Sequence, residues 1–270
     1  MSLFRMFLKE QKENLGLIWK LNIYDYKTKY SRQYLGPIWI ILVPLLSVFV
    51  LWLVFGLGIR GLREPVQGIP FLMHLMTGFF SFGFITSNIT GGASAILDKQ
   101  NLMTKMKFPA SVLISIKLLG NTMNVTIITS IVFIASIWNG YTDPITYIGY
   151  LYFLFATICF TFALSLILSA AVVIVRDIKN ILSAFIRLAF FMSPVIWSLE
   201  GANPLMQVIT QYNPFAYLLM TYRYSFVYED LYIYGGATQH IYFWTLTIFL
   251  FYVGLHVHYR FRSRFVDYMR

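Results

Sequence analysis

Long apolar stretches separated by short charged segments dominate the pattern of this chain. A helix needs about 20 mostly apolar residues to cross the hydrocarbon core of a bilayer. Stretches of that kind predict membrane spans at about 37–58, 70–90, 110–137, 146–175, 180–199 and 241–259. The expected fold class is therefore an all-α integral membrane protein with six transmembrane helices in a single domain, 1–270.

The apolar stretch 201–222 is long enough for a seventh span but is divided by prolines. Pro204 and the pair Asn213-Pro214 leave arms of roughly ten residues, and at about 1.5 Å per residue each arm reaches about half way across the bilayer. Proline also disfavours a helical conformation in the residue before it. Residues 202–228 are predicted to form a re-entrant helical hairpin between spans 5 and 6.

The distribution of basic residues agrees with six crossings. With the N-terminus in the cytoplasm, sixteen lysines and arginines fall in internal segments, whereas Arg60, Arg63 and Arg223 fall in external ones. Such an excess is typical of cytoplasmic loops, so both termini are predicted to be cytoplasmic. The two other basic residues, Lys117 and Arg187, lie inside spans, where they either snorkel to the interface or bind a lipid phosphate.

The composition excludes several classes of protein. The 270 residues are 58% hydrophobic and 12% charged, whereas soluble domains are about 25% charged, so a soluble enzyme is excluded. The single cysteine, Cys159, cannot form an intrachain disulfide. The net charge of +10 is explained by internal loops that face anionic lipid. A nucleic-acid partner is not expected, because the sequence shows no soluble element with a basic face.

The chain lacks the residues that several transport and catalytic mechanisms require. All eleven acidic residues fall at the ends of spans or in loops, so none is a candidate for ion coupling in a secondary transporter. No glycine is followed by lysine, which excludes the phosphate-binding motif G-x-x-x-x-G-K-[ST]. No catalytic residue, metal site or bound cofactor is predicted, and any ATP and Mg²⁺ would be used by another subunit.

Residues 15–34 are predicted to form a helix that lies in the membrane interface. Between 15 and 30, apolar and aromatic residues recur every three to five positions, and lysines occupy the other directions. A basic amphipathic helix of this kind lies in the headgroup plane. It ends at Gly36-Pro37, where glycine permits a change of direction and proline can begin the next helix. Both a simple anchor and a functional gate are open as its role.

The loop between spans 2 and 3 mixes apolar and basic residues over 98–108. A loop that only crossed the surface would not need several large apolar residues. We interpret this segment as a short helix that docks into a cleft of a soluble partner, with Phe108-Pro109 fixing the start of span 3. The candidate coupling residues are Lys99, Gln100, Asn101, Leu102, Lys105, Met106 and Phe108.

Aromatic residues are concentrated between Tyr212 and Tyr234, where they make up nine of 23 positions. A belt of rings at the membrane interface is the usual explanation. Because irregular backbone at membrane depth is tolerated only against protein or a water-filled cavity, stacking of these rings on sugar or polyol faces is the alternative. The candidates for a translocation path are Tyr212, Phe215, Tyr217, Tyr222 and Arg223.

Several short motifs occur in order along the chain from about Tyr24. They are Tyr26-Lys27-Thr28-Lys29-Tyr30-Ser31, Tyr34-Leu35-Gly36, Val54-Phe55-Gly56, Gly58-Ile59-Arg60-Gly61, Gly68-Ile69-Pro70-Phe71, Lys105-Met106-Lys107-Phe108-Pro109, Arg176-Asp177, Ser193-Pro194-Val195, Asn213-Pro214-Phe215 and Tyr222-Arg223-Tyr224-Ser225-Phe226. In order and spacing, the chain resembles the membrane subunit of the ABC-2 class of polysaccharide exporters, and most closely the teichoic-acid translocation permease of Gram-positive bacteria.

The resemblance implies a homodimeric permease in the bacterial cytoplasmic membrane. Each subunit would be coupled to one copy of a cytosolic ABC ATPase, and the complex would export wall teichoic acid attached to undecaprenyl diphosphate. The family's interfacial helix, coupling helix and re-entrant pair match 15–34, 98–108 and 202–228. The lipid diphosphate is expected to arrive from the inner leaflet. The substrate-access residues are Lys27, Lys29, Tyr30 and Arg32.

Three alternatives are open at this point. An exporter of O-antigen or capsular polysaccharide shares most of these motifs and would differ in the polymer that it binds. A membrane enzyme of polyprenyl-linked glycan assembly would be active without an ATPase. A small-molecule ABC-2 efflux subunit would be expected to carry larger external domains or a fused nucleotide domain, and neither fits in 270 residues.

Overall fold

The computed structural model of the chain has only helices as regular elements in the parts that it describes, together with an isolated bridge between Val66 and Ile69. It describes residues 3–31, 33–54, 66, 68–105, 108–140, 144–199, 202–227 and 234–268. The helices are α1 (Leu3–Glu13), α2 (Leu15–Tyr30), α3 (Trp39–Trp52), α4 (Phe71–Asp98), α5 (Gln100–Lys105), α6 (Ala110–Trp138), α7 (Tyr147–Ile174), α8 (Ile178–Met192), α9 (Pro204–Gln211), α10 (Pro214–Val227), α11 (Gly236–Phe261) and α12 (Phe265–Tyr268). The all-α prediction is confirmed for these ranges.

The lengths of the helices bear on the number of membrane crossings. By length and composition, three helices of the described chain are able to cross a membrane: Ala110–Trp138, Tyr147–Ile174 and Gly236–Arg264, the last including the turn after α11. These helices indicate a membrane protein. The helices α3 and α8 have 14 and 15 residues, fewer than the about 20 that a crossing needs. Six crossings and the re-entrant hairpin therefore stay predictions.

The helix α4 continues to Asp98, beyond the predicted end of its span at residue 90. The additional segment combines small and apolar side chains, and Ala93, Ala95 and Ile96 are buried. At Gly92 an added Cβ would lie 1.9 Å from Ser165 Oγ of α7, so the two helices approach closely there. Burial against α7 thus compensates for the low helix preference of glycine.

The helix α8 ends at Met192, short of the predicted end of its span at residue 199. Ser193 takes an extended conformation, with φ −104° and ψ 146°, as expected for a residue that precedes a proline. The indole Nε1–H of Trp197 donates to Phe191 O at 3.2 Å. The chain therefore leaves the helical direction at Ser193 and turns back toward the end of α8.

Two short helices, α9 and α10, occupy the segment 204–227, and each begins at a proline. The asparagine before each proline caps its helix: Asn203 Oδ1 accepts from the Leu205 N–H and Asn213 Oδ1 from the Phe215 N–H, both at 2.9 Å. Asparagine is among the preferred residues at this position. The two prolines therefore mark the starts of two separate helices, and their depth in the membrane stays a prediction.

The helices pack around two hydrophobic clusters. The larger cluster lies mainly between α4, α7 and α10, where the ring centroids of Phe153 and Tyr222 are 4.5 Å apart. The smaller cluster includes Phe7, Met103 and Phe265. It lies at the end of the bundle covered by α1, α5 and α12, which we name the basic end. The helix α1 was not predicted from the sequence, and Phe7 anchors it there.

Candidate functional site

A short helix at the basic end connects α4 to α6. In this helix, α5, Met103 is buried in the smaller cluster, while Asn101 and Thr104 are exposed. The buried methionine anchors α5 to the bundle, and the two polar residues form its outer surface. The helix is thus fixed on one side and accessible on the other, as a surface that receives a partner must be.

The other predicted coupling residues have different surroundings. Gln100 and Leu102 are half-buried, and Phe108 packs half-buried on the smaller cluster. Met106 and the side chain of Lys105 lie outside the described residues. A partner that reached Leu102 would therefore contact a side chain that is already partly covered by the bundle.

An ion pair joins the start of α5 to α2. Lys99 Nζ and Asp25 Oδ1 are 2.6 Å apart, and about a third of each side chain is exposed. Earlier on α2, the buried Asn22 donates through Nδ2 to Ile116 O of α6 at 3.0 Å. A partly exposed ion pair contributes at most about 1 kcal/mol to stability. Its main consequence is positional, because it links α2 to the beginning of α5.

A polar cavity of about 110 Å³ lies between α2 and α6. Two lysines, Lys29 and Lys117, and one carboxylate, Asp25, line it together with Asn121 and Asn124. The ammonium group of lysine binds phosphate as a compact point charge. The cavity therefore has the chemistry of a phosphate site, and it brings a predicted substrate-access residue, Lys29, close to Lys117 of the third predicted span.

The remaining substrate-access residues differ in exposure. Lys27 is exposed and does not line the cavity. Tyr30 is buried and does line it, with its ring 5.0 Å from the ring of Tyr26 and Lys29 Nζ 5.1 Å from its centroid. Arg32 lies outside the described residues. The part of the access site that the structure describes therefore consists of two exposed lysines, Lys27 and Lys29, and the buried Tyr30. Lys29 and Tyr30 line the cavity.

Asn121 and Asn124 line the polar cavity but were not predicted as site residues from the sequence. Asn121 donates through Nδ2 to Ser87 O of α4 at 2.9 Å. The two asparagines stand three positions apart inside a predicted span, so they lie on the same face of the helix. Because unpaired polar groups are costly in a membrane, that spacing is the feature that could have indicated a polar site on α6.

Arg223 is the largest fully buried side chain of the described residues. Its Nη1 donates to Pro194 O at 2.8 Å, and its Nη2 donates to Val195 O at 3.1 Å and to His74 O at 3.2 Å. A Cβ at Gly78 would lie 2.4 Å from Nη2, so the glycine makes room for the guanidinium. Arg223 thereby joins α4, α10 and the segment after α8.

Four of the five predicted path residues are buried within the protomer. The exposed fractions are 60% for Tyr212, 6% for Phe215, 3% for Tyr217, 0% for Tyr222 and 1% for Arg223. The hydroxyls of Tyr217 and Tyr152 are 2.7 Å apart, and they lie 2.9 and 3.1 Å from His240 Nδ1. This network fastens α10 to α7 and α11. In this conformation the ring of Tyr212 is exposed, and a translocation path along the other four residues stays a prediction.

Glu10 binds three side chains at the basic end. Its carboxylate pairs with Arg262 and accepts from the hydroxyls of Tyr259 and Ser111, each at 2.8 Å. The sequence did not indicate this cluster, because the partners are 101 to 252 positions away. Within the described ranges, no three His, Cys, Asp or Glu side chains are placed to hold a metal ion.

Comparison with known proteins gives one family and several relatives. The sequence profile of the family described as ABC-2 type transporter matches residues 17–227. A protein named O-antigen export system permease protein RfbA, from Myxococcus xanthus, is 29% identical over 221 residues, which cover 80% of this chain and 82% of that protein. A protein of the same name from Klebsiella pneumoniae is 26% identical over 268 residues, covering 96% of this chain and 98% of that protein. Another from Klebsiella pneumoniae is 26% identical over 233 residues, covering 81% and 84%.

Proposed function

This chain belongs to the ABC-2 type transporter family, and on that premise we propose that it is the permease subunit of an ATP-driven exporter of a polyprenyl-diphosphate-linked polysaccharide of the O-antigen class. The proposal is carried by the relationship, over nearly the full length of both chains, to an O-antigen export permease. The three relatives share that name. We therefore prefer O-antigen export to the export of wall teichoic acid, which the short motifs alone favour.

The proposed exporter draws its energy from a separate cytosolic ABC ATPase. This chain has no glycine–lysine pair with which to cradle a nucleotide phosphate, so ATP and Mg²⁺ are bound by the partner. Each of two ATPase subunits contacts α5 of one permease copy through the exposed Asn101 and Thr104. Because Met103 anchors α5 in the smaller cluster, a displacement of α5 is passed into the bundle.

The displacement reaches the interfacial helix through the ion pair between Lys99 and Asp25. When the ATPase moves α5, the pair carries α2 with it, and α2 moves relative to α6 at the contact between Asn22 and Ile116. Two helices that slide past each other at a polar contact are a common element of domain closure. We assign to this movement the opening of the passage for the lipid-linked polymer.

The lipid diphosphate approaches from the inner leaflet along α2. Lys27 and Lys29 are exposed on this helix, and Arg32 follows its end in the sequence. Clustered basic residues at the membrane surface attract anionic headgroups by about 1 kcal/mol each. A diphosphate carries more charge than a phospholipid phosphate, so this cluster favours the transported lipid over the surrounding bilayer.

A second copy of the chain is expected to pack on α8. Its outward face carries large apolar side chains at helical spacing, and Ile181, Phe185 and Leu188 are more than half exposed. An exposed apolar stripe on a helix is typical of a contact with another helix or with lipid. In the proposed homodimer, two copies of α8 face each other, and the passage runs between the two permeases.

Deleting the chromosomal copy of this chain tests the proposed function. We expect loss of the surface polysaccharide and accumulation of polyprenyl-linked glycan at the inner leaflet of the membrane. A plasmid-borne copy of the chain is expected to reverse both effects. Chemical analysis of the accumulated glycan distinguishes the polymers, because an O-antigen consists of sugar repeats and a teichoic acid of polyol phosphates. An unchanged surface polymer would contradict export. Polyol phosphate in the accumulated material would show that the substrate is a teichoic acid and not an O-antigen.

Reversing the charges beside α2 is expected to reduce export at least tenfold. The variant combines Lys27→Glu, Lys29→Glu and Arg32→Glu. Each basic residue near the surface contributes about 1 kcal/mol to the attraction of an anionic lipid, and about 1.4 kcal/mol corresponds to a factor of ten. Surface polymer is quantified together with the amount of ATPase that co-purifies, which we expect to be unchanged.

A matched variant with Lys9→Glu, Lys12→Glu and Lys20→Glu changes the net charge of the same N-terminal region by the same amount. All three lysines precede the basic cluster of Lys27, Lys29 and Arg32 in the sequence, so this variant is expected to export normally. Equal export by both triple variants would rule out substrate access along α2.

Breaking the ion pair between α2 and α5 is expected to uncouple ATP hydrolysis from export. In the Lys99→Asp variant two carboxylates face each other, so the movement of α5 is no longer passed to α2. We expect the polymer exported per ATP hydrolysed to fall about tenfold, a difference of about 1.4 kcal/mol in coupling. Adding Asp25→Lys restores an ion pair with reversed polarity and is expected to restore coupling. A swapped pair that stays as uncoupled as the single variant would refute the link.

A further inference from the structure

Two neighbouring cavities meet beside α6. The polar cavity of about 110 Å³ between α2 and α6 and a second cavity of about 350 Å³ between α3, α4 and α6 share Asn121 and Asn124 in their walls. The second cavity is lined mainly by apolar groups, among them Val43, Pro44, Phe79, Phe80, Phe84 and Ile128. The two cavities adjoin at these asparagines and are together named the α6 groove, which is polar at one end and apolar at the other.

The polar end of the α6 groove has an excess of positive charge. Lys29, Lys117 and Asp25 line it, and Lys99, outside the lining, pairs with Asp25 at 2.6 Å. The second nearby carboxylate is that of Asp98, which is 3.5 Å from Lys117. Three ammonium groups therefore face two carboxylates, and the remaining positive charge suits a single phosphate monoanion.

The side chain of Lys117 is built into the wall of the groove. A Cβ at Gly91 of α4 would lie 3.0 Å from both Cγ and Cε of Lys117, and 3.2 Å from Nδ2 of Asn121. The glycine thus allows the lysine stem to lie close against α4, although Lys117 stands seven positions inside α6. A packed stem with about 45% of the side chain still exposed is the arrangement that snorkelling produces, and it holds the ammonium group beside the groove.

Two asparagines of the groove have carbonyl oxygens that could accept a further hydrogen bond. Asn22 is 3% exposed and donates through Nδ2 to Ile116 O, but its Oδ1 finds no hydrogen-bond partner among the described residues. Oδ1 of Asn124 is buried and likewise without a partner in the described chain. Buried acceptors are normally satisfied. Each oxygen is buried in this conformation, so a rotation of the side-chain amide is needed to bring it into the groove, where a ligand with hydroxyl groups beside its phosphate would supply the missing donor.

The apolar part of the groove has the size of one acyl chain. At about 1.5 Å per residue, the eleven positions from Lys117 to Ile128 extend about 16 Å along α6. A volume of about 350 Å³ holds about a dozen methylene groups at roughly 30 Å³ each, the volume that a water molecule occupies in the liquid. A polyprenyl chain of eleven isoprene units has fifty-five carbons, so most of it would lie outside the cavity, whereas about a dozen carbons match most of one acyl chain.

We propose that the α6 groove binds one resident anionic glycerophospholipid with a hydroxylated headgroup, of the phosphatidylglycerol type. Its phosphate lies between Lys29 and Lys117, its headgroup hydroxyls donate to the asparagine oxygens, and one acyl chain fills the cavity between α3, α4 and α6. The lipid joins α2 to the three helices behind it. It therefore stabilises the position of the interfacial helix and is not itself exported, and with Lys29 engaged in this way Lys27 and Arg32 are the cations that attract the transported lipid.

Native mass spectrometry of the full complex with its ATPase tests this site. The complex is stripped of lipid in detergent and then titrated with phosphatidylglycerol or with phosphatidylcholine of the same chain length. We expect one tightly held phosphatidylglycerol per permease copy, with at least tenfold preference over phosphatidylcholine. The double variant Lys29→Gln with Lys117→Gln is expected to lose that preference, whereas Lys20→Gln, an exposed lysine of the same helix, is expected to keep it.

A second variant tests the apolar part without disturbing the fold. Gly83 of α4 lines the groove, and a Cβ added there meets nothing within 4 Å, so Gly83→Leu fills the cavity and favours the helix. We expect at least a tenfold loss of bound phosphatidylglycerol. Gly16→Leu is the matched control, because Gly16 of α2 also has open space at Cβ but lies outside the groove.

Several results would overturn the resident-lipid site. Equal retention of the two lipids, or undiminished phosphatidylglycerol in Gly83→Leu, would show that the groove does not bind it. Displacement of the lipid by undecaprenyl phosphate at equal concentration would assign the groove to the transported lipid instead. Loss of the second permease copy from the Gly83→Leu spectra, with lipid retained, would assign it to the dimer contact. Each outcome is distinct from failure of export, which this experiment does not measure.

Discussion

Replacing Arg223 by leucine is expected to leave almost no folded permease in the membrane. The buried guanidinium donates to the carbonyl oxygens of Pro194, Val195 and His74. A buried acceptor that loses its donor costs roughly 1–3 kcal/mol, and three of them together approach the about 5–15 kcal/mol by which proteins are stable. Arg223→Lys is expected to be intermediate, because an ammonium group lacks the planar fork of five N–H donors.

The amount of monodisperse protein in detergent and its unfolding temperature measure this effect. Arg260→Leu is the matched control, since the same change is made at an exposed arginine of α11, and it is expected to behave like the unaltered chain. Recovery of the Arg223→Leu protein in normal amounts, with a normal unfolding temperature, would refute the claim that the buried arginine stabilises the fold.

Acidic substitutions at α5 are expected to remove the ATPase from the complex and to reduce export to background. The first variant combines Leu102→Asp with Met106→Asp. A carboxylate that the partner's surface covers must be desolvated without a compensating charge, so docking is lost. The measurement is the ATPase recovered with a tagged permease, alongside surface polymer.

Because Leu102 is half-buried, a second variant separates docking from folding. Thr104→Asp changes an exposed residue of the same helix, and we expect it to weaken co-purification without lowering the unfolding temperature. Lys12→Asp adds the same acidic group to an exposed site of α1 at the same end and serves as the control. Full recovery of the ATPase with both α5 variants would exclude α5 as the docking element.

The long helices were predictable because long apolar runs that contain at most one charged residue have few alternatives. The predicted span 110–137 corresponds to Ala110–Trp138, and 146–175 contains Tyr147–Ile174. The ends that differ have local causes. The helix α4 passes through Gly91-Gly92 because close packing on α7 compensates for the glycines, which no single-sequence pattern reveals. The residue before Pro194 ends α8 early.

The candidate site was less predictable, because its contacts join residues that are far apart in the chain. The pair between Asp25 and Lys99 spans 74 positions, and nothing in either segment indicates the other. Charge counting places Arg223 among the external cations, whereas the structure buries its guanidinium against main-chain carbonyls. A count of charges contains no information on backbone acceptors supplied by other helices. The basic character of α2 was visible in the sequence, but the cavity that Lys29 shares with Lys117 was not.

Native mass spectrometry of the tagged chain, gently extracted from its own host, tests most directly whether it is the permease of an ATP-driven polysaccharide exporter. It records the protein stoichiometry and any bound lipid-linked glycan in one experiment. We predict two copies of this chain with two copies of an ABC ATPase, carrying a polyprenyl-linked glycan built of sugar repeats. A chain that stayed monomeric and without an ATPase, under conditions that preserve other such complexes, would contradict the account and favour a membrane enzyme of glycan assembly.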